Sequence, residues 1–141
     1  MTNGDSDDQS KVVRPARPLS KKFLEPIFYL AEGMAAADKH VVPKEYRMID
    51  VLADAAGLKG FRNSKNYRGL TQQKACDQLD IEVAKRAALV IIALVLKADF
   101  NRVHSEHEYF TRIRTALNAG PVVVPVDLDA HRDLALAYIQ R

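Results

Sequence analysis

The sequence lacks several features that would place it in a specialised class. It has one cysteine, Cys76, so no internal disulfide can form. Its longest apolar run, residues 87–96, spans ten residues, about half the length of a membrane-spanning helix. There is no apolar leader at the start of the chain, and a lone cysteine is typical of a reducing compartment. We therefore expect a cytoplasmic protein with no transmembrane segment.

The net charge of the chain is small, but one segment is locally basic. The 141 residues carry a formal net charge of only +3, and 48% of them are hydrophobic, as in ordinary globular domains. Five basic residues and no acidic residue lie between Lys59 and Cys76, whereas the rest of the chain has 16 basic and 18 acidic residues. This distribution argues against a uniformly basic nucleic-acid-binding protein and marks out one basic segment, 59–74.

Hydrophobic periodicity predicts an all-α, single-domain bundle of about six helices. Residues 1–19 contain too little apolar surface to fold and are predicted to be a disordered tail, which leaves 20–141 as the domain. The helices are predicted near 26–34, 43–56, 72–79, 81–98, 106–118 and 128–139, with Thr71, Asp80, Ser105 and Asp127 as N-caps and Gly57 as a stop. Residues 59–69 show no period and predict a loop, and the apolar helix 81–98 is expected at the centre of the fold.

Two stretches 61 residues apart resemble each other. In each, an apolar helix ends in Ala-Asp, a short loop with a valine follows, and the next helix starts near a glutamate: Asp38 with Glu45, then Asp99 with Glu106. We expect two helix–loop–helix repeats that pack about a pseudo-twofold axis. Aspartate at a helix C-terminus opposes the helix dipole. Each Asp therefore either caps its loop through backbone N–H groups or joins the glutamates in binding a divalent cation.

The common metal-binding templates do not fit these loops. Asp99 and Asn101 match the first two ligand positions of an EF-hand, but Val103, His104 and Phe110 fail the later ones. The sequence around His104 and His107 does not read H-E-x-x-H. A zinc site using these histidines and the neighbouring glutamates is left open beside a calcium site.

The paired pattern resembles the TerB-like family associated with tellurite resistance, over about residues 23–118. The resemblance implies an all-helical pseudo-symmetric bundle and a non-enzymatic interaction module in a stress response. It also implies an acidic surface that binds a divalent cation, here calcium or zinc. The second loop is one residue longer before its valine, so two further residues compete with Glu106 for its role. The implied metal-site residues are Asp38, Glu45, Asp99, Glu106, His107 and Glu108.

Two alternatives start from other residues. The basic segment interleaves Phe61 and Tyr67 with cations, as a surface for single-stranded nucleic acid or an acidic partner does. Its candidate partner-binding residues are Lys59, Arg62, Lys65 and Arg68. The other alternative is a metal-dependent enzyme, although the sequence has no Gly-rich phosphate loop and Cys76 has no neighbouring base. A protein partner is expected, nucleic acid is disfavoured, and homodimerisation is left open.

Overall fold

A computed structural model describes residues 12–36, 43–97 and 104–140 of the chain, without the side chains of 43–45 and 104–106. Regular structure in these ranges is entirely helical, which confirms the predicted all-α class. No helix among them is long and apolar enough to cross a membrane. The helices are α1 (Leu24–Ala35), α2 (Pro43–Ala55), α3 (Lys65–Arg68), α4 (Gln72–Gln78), α5 (Glu82–Lys97), α6 (His104–Ala116) and α7 (Leu128–Ile139).

The helix starts agree with the predicted caps at two of four places. Thr71 Oγ1 accepts from the Lys74 N–H at 3.1 Å, and Asp127 Oδ2 accepts from the Ala130 N–H at 2.9 Å. The Asp80 prediction is wrong by one residue, because α5 begins at Glu82 and Ile81 precedes it. The Ser105 prediction is also wrong, because α6 begins at His104 and Ser105 lies inside the helix.

The region 59–69 is more regular than its polar sequence suggests. A 3-10 turn covers Phe61–Asn63, and α3 follows directly. Ser64 caps α3 by accepting a hydrogen bond from the Tyr67 N–H at 3.1 Å. The predicted loop is therefore partly helical, because a local side-chain cap and the burial of Phe61 order it where periodicity gives no signal.

The core is built around α5, as the sequence predicts. Ten of its residues are buried, and α1 packs along it over a longer stretch than any other helix. α7 covers a further side of α5. Pro26 is accommodated in α1 because it lies in the first turn, where a backbone N–H has no partner within the helix.

Residues just before the predicted domain start at residue 20 contact α7. Leu19 is 4% exposed, and its N–H donates to the Tyr138 carbonyl at 2.8 Å. The Tyr138 hydroxyl donates to the Val13 carbonyl at 2.8 Å. The end of the predicted tail thus lies along α7, and residues 1–11 lie outside the described residues.

The helices that follow the two Ala-Asp loops match in length and in ending. α2 and α6 both begin and end 61 positions apart, at 43 and 104 and at 55 and 116. Each is followed by a residue in the left-handed region, Gly57 with φ 75° and Asn118 with φ 53°. The N–H of the next residue then bonds back, from Leu58 to Ala53 O at 2.9 Å and from Ala119 to Arg114 O at 3.2 Å. Both ends are Schellman motifs.

Helix contacts follow the same correspondence. α1 contacts α2 and α4 as α5 contacts α6 and α7. The crosswise contacts also pair, since α1 meets α6 as α5 meets α2, and α4 meets α6 as α7 meets α2. We call 24–78 the first half, 82–139 the second half, and positions 61 apart counterparts. The pseudo-twofold repeat itself stays a prediction, because Asp38 and Asp99 lie outside the described residues.

Candidate functional site

Most of the predicted metal-site side chains are not among those that the structure describes. Asp38 and Asp99 lie outside the described residues, and Glu45 and Glu106 lie in α2 and α6 without described side chains. His107 and Glu108 are exposed; of the predicted set, only their side chains are described. Within the described ranges, no three histidine, cysteine, aspartate or glutamate side chains come together as a metal site.

The basic segment folds back onto the acidic faces of α1 and α2. Arg62 donates through Nε to Glu32 Oε2, and its Nη1 lies 2.8 Å from Asp50 Oδ1. Its guanidinium carbon also lies 4.6 Å from the centroid of the Phe61 ring. One of the four predicted partner-binding cations is therefore paired within the molecule, whereas Lys59, Lys65 and Arg68 are exposed.

Two further polar contacts hold the same segment against α1. The Tyr67 hydroxyl donates to Glu32 Oε1, and Asn66 Nδ2 donates to Glu25 Oε1 at 2.8 Å. Both carboxylate oxygens of Glu32 thus accept a hydrogen bond, one from Tyr67 and one from Arg62. The segment that looks like a free basic loop in the sequence is docked by carboxylates 30 or more positions away.

This docking forms one wall of a cavity that we call the tyrosine pocket. Its volume is about 400 Å³. Four of the five tyrosines in the chain line it. The lining residues are Tyr29, Glu32, Gly33, Ala36, Tyr46, Tyr67, Gln72 and Tyr109. They come from α1, α2, α3, α4 and α6, so the pocket depends on the tertiary fold rather than on one element.

Gly33 makes room for Tyr109. A Cβ on Gly33 would overlap the Tyr109 hydroxyl and would lie 2.9 Å from Cζ of that ring. The hydroxyl donates to the Leu30 carbonyl at 2.9 Å, which fixes the ring across α1. Glycine inside a helix costs about 1 kcal/mol relative to alanine. Here that cost accompanies a contact that no other residue type permits.

The rings of the pocket are continuous with the aromatic part of the core. The Tyr29 and Tyr67 ring centroids are 5.6 Å apart, edge to face. Tyr67 meets Phe61 at 5.1 Å, and Phe61 meets Phe28 at 5.4 Å. Such tilted and edge-to-face pairs are the favoured aromatic geometry. Tyr29 and Tyr67 are therefore linked through ring contacts to the aromatic part of the core.

The buried hydroxyls of the pocket are neutral donors. Burial raises the pKa of Tyr67 far above its ordinary value, and the hydrogen bond to Glu32 adds to the effect. Burial likewise raises the pKa of Tyr109. Burial also raises the pKa of Cys76, which is 7% exposed. These groups therefore keep their protons at neutral pH.

The tyrosine pocket escaped the sequence analysis because its residues come from distant parts of the chain. One local signal points to it, namely a glycine inside an otherwise regular apolar helix. Gly33 lies at helical spacing from Tyr29 in α1 and from Ala36, the residue that follows α1. This face combines small and aromatic residues with one charged residue, Glu32.

The fold and site define a small all-α protein with an aromatic pocket edged by one carboxylate. Comparison of the chain with protein-family models, with curated proteins and with solved structures finds no match in any of the three.

Proposed function

We propose that this protein is a binding module whose tyrosine pocket takes a small organic group, either a free ligand or a side chain of a partner. The observation that carries the proposal is the convergence of four tyrosines on one cavity of about 400 Å³. Ligand sites typically have volumes of about 300–1,000 Å³ and combine aromatic walls with a few polar groups. Tyrosine supplies large contact area and loses little side-chain entropy on binding.

The proposal favours binding over catalysis for a chemical reason. The Tyr67 and Tyr109 hydroxyls keep their protons and already donate to Glu32 and to the Leu30 carbonyl. Glu32 in turn accepts at both oxygens. These groups are arranged to hold the walls in place and are poorly placed to move protons.

Filling the pocket tests the proposal. Ala36 is exposed and lines the pocket, so we expect the ring of Ala36→Phe to occupy part of the cavity while the core is unchanged. We expect members of a diverse fragment set to shift the ring NMR signals of the four pocket tyrosines in the natural protein and to lose that effect in Ala36→Phe. Ala116→Phe adds the same ring at an exposed position that does not line the pocket and should bind as the natural protein does. Fragment binding unchanged by Ala36→Phe would contradict the proposal.

We further propose that the module is of the TerB-like, stress-response kind, with a divalent cation held by Asp38, Glu45, Asp99 and Glu106. Support comes from the sequence resemblance and from the matching helices α2 and α6, whose bounds are 61 positions apart. A cation that binds only the folded state raises the melting temperature. After chelation, millimolar calcium or lower zinc should raise Tm, and Asp38→Asn with Asp99→Asn should abolish the rise. No rise in the natural protein would leave the two aspartates as loop caps.

A further inference from the structure

We infer that the group bound in the tyrosine pocket is an alkylated ammonium cation, such as a trimethylammonium. This inference rests on the proposed function and adds the chemical class of the ligand. The pocket combines four tyrosine rings with a single carboxylate, each oxygen of which already accepts one hydrogen bond. That combination suits a cation with little or no N–H to donate.

Aromatic surface attracts cations. The face of a tyrosine ring is electronegative, and quaternary ammonium ligands are commonly bound by several such rings together. The Tyr29 and Tyr67 rings both line the pocket and are inclined at 65° to each other. The chain already uses this interaction nearby, because the Arg112 guanidinium carbon lies 5.3 Å from the centroid of the Tyr109 ring.

The charge on the pocket wall has the matching sign. Glu32 is the one lining residue with a formal charge at neutral pH. Its partner Arg62 is shared with Asp50, so two carboxylates face one guanidinium. Arg112 lies outside the lining and is exposed to solvent. Glu32, Asp50 and Arg62 therefore carry a net charge of −1 together, which favours a cationic ligand over an anionic one at this wall.

The two hydrogen bonds that Glu32 already accepts leave its oxygens fewer free lone pairs for the N–H groups of a bare ammonium. Oε1 accepts from Tyr67 and Oε2 accepts from Arg62. A bare ammonium brings three N–H donors that need acceptors when they leave water. A quaternary ammonium has none and is stabilised by charge and ring contact alone. Glu32 thus supplies charge where a new hydrogen bond is not required.

The test compares choline with 3,3-dimethylbutan-1-ol, its uncharged isostere in which carbon replaces nitrogen. Titration of the full chain is followed by the ring NMR signals of Tyr29, Tyr46, Tyr67 and Tyr109. We expect saturable shifts with choline and at least tenfold weaker binding of the neutral alcohol. Equal or tighter binding of the alcohol would overturn the charge inference and leave the pocket proposal standing.

A matched pair of variants isolates the carboxylate. Glu32→Gln keeps the shape and an acceptor for Tyr67 but removes the charge, and it should weaken choline about tenfold while leaving the alcohol unchanged. Asp50→Asn removes the other carboxylate bound to Arg62, which does not line the pocket, and it should weaken choline binding less than Glu32→Gln does. Equal losses in both variants would show that Glu32 acts only by holding Arg62 and would overturn the inference.

Two sources can supply this chemistry, and a third probe separates them. A peptide containing one trimethyllysine presents the same headgroup on a partner side chain. Tighter binding of the peptide than of choline would identify a modified protein as the source, and the reverse would identify a free solute. If no cationic probe binds while neutral fragments still bind and are lost in Ala36→Phe, the cation inference fails alone. If no probe of any kind perturbs the four tyrosines, the pocket proposal fails as well.

Discussion

The two halves of the molecule place different residues at counterpart positions. In the first half, Gly33 leaves space for Tyr109 and the tyrosine pocket opens beside it. The counterpart of Gly33 is Leu94, which is fully buried. The counterpart of Tyr109 is Met48, which is partly buried and packs against the core. Similar helix contacts thus leave an open aromatic cavity beside Gly33, whereas the counterpart position is filled by the side chain of Leu94. The pocket follows from particular residues and is not a by-product of the helical arrangement.

A second cavity, which we call the crevice, differs from the tyrosine pocket in charge and in aromatic content. Between α2 and α7 a smaller cavity of about 220 Å³ is lined by Arg47, Met48, Val51 and Arg132. It has two arginines where the tyrosine pocket has a carboxylate, and it has no aromatic ring. A cationic ligand should therefore distinguish the two cavities by charge and by ring contact.

A third pair of counterparts differs in polarity, and it gives the largest predicted effect. Leu70 is buried in the first half, and His131 is fully buried in the second. His131 Nε2 lies 2.9 Å from the Val90 carbonyl, and Nδ1 has no hydrogen-bond partner among the described residues. Burial lowers the pKa of His131 to about 4, and the positive charge of Lys97 adds to this against the opposing bond to Val90.

This buried histidine makes stability depend on pH. The unfolded chain takes up the proton near pH 6.5, whereas the folded chain takes it up near pH 4. The free energy of unfolding should therefore fall by about 3 kcal/mol in all as the pH is lowered from about 6.5 to about 4. Denaturant unfolding at a series of pH values measures the slope. His131→Leu introduces the residue found at the counterpart position, Leu70, and should flatten this pH dependence although the other three histidines remain. An unchanged slope would contradict the assignment of the pH dependence to His131.

The second prediction closes the space beside Tyr109. Gly33→Ala should lower the free energy of unfolding by about 2 kcal/mol, because overlap with the Tyr109 ring outweighs the gain of about 1 kcal/mol that alanine brings to a helix. Gly120→Ala is the control, since a Cβ there meets no atom within 4 Å. Denaturant unfolding measures both. A more stable Gly33→Ala would show that Tyr109 does not need the glycine.

A double variant sharpens the same comparison. Gly33→Leu with Tyr109→Met places the counterpart residues, those of Leu94 and Met48, at the contact between α1 and α6. It should recover stability relative to Gly33→Leu alone and should abolish the tyrosine pocket. If the pair is no more stable than the single variant, the counterpart positions do not pack alike.

The third prediction concerns the cation that joins α1 and α2. Arg62→Ala should destabilise the chain by about 1 kcal/mol, because two carboxylates lose their partner and the one on Glu32 is only 17% exposed. The matched control is Arg132→Ala, which removes a contact of 2.8 Å with Asp129 three positions away on α7. Such local surface pairs contribute up to about 0.5 kcal/mol. Equal losses would mean that the long-range pairing of Arg62 adds nothing.

The smallest predicted effect concerns the exposed cations of the basic segment. Lys65→Ala with Arg68→Ala should leave stability within about 0.5 kcal/mol of the natural protein, as surface changes usually do. Single-stranded RNA should bind only at low salt, because few phosphate contacts are available. Filter binding at two salt concentrations measures this. Tight binding at physiological salt that the double variant abolishes would restore the nucleic-acid alternative.

The sequence predicts the features of this fold that arise from local patterning. The buried helix α5, the caps at Thr71 and Asp127 and the stop at Gly57 all follow from periodicity and backbone chemistry within a few residues. The helix starts predicted from caps at Asp80 and Ser105 differ from the observed starts by one or two positions, since a polar residue near a start offers more than one cap.

The candidate site could not be predicted in the same way. Arg62 meets Glu32 across 30 positions, and Tyr109 meets Leu30 across 79. Neither contact leaves a periodic trace, because a single side chain on each partner is enough. The metal-site prediction on Asp38, Glu45, Asp99 and Glu106 stays a prediction, since the described side chains do not include these four.

The most direct measurement of the central claim locates a bound probe. Intermolecular nuclear Overhauser effects from the methyl protons of choline should reach ring protons of Tyr29, Tyr46, Tyr67 and Tyr109 in the natural protein. Effects confined to Met48 and Val51 in the crevice between α2 and α7, or effects that persist on the pocket tyrosines in Ala36→Phe, would contradict the assignment of the tyrosine pocket as the binding site.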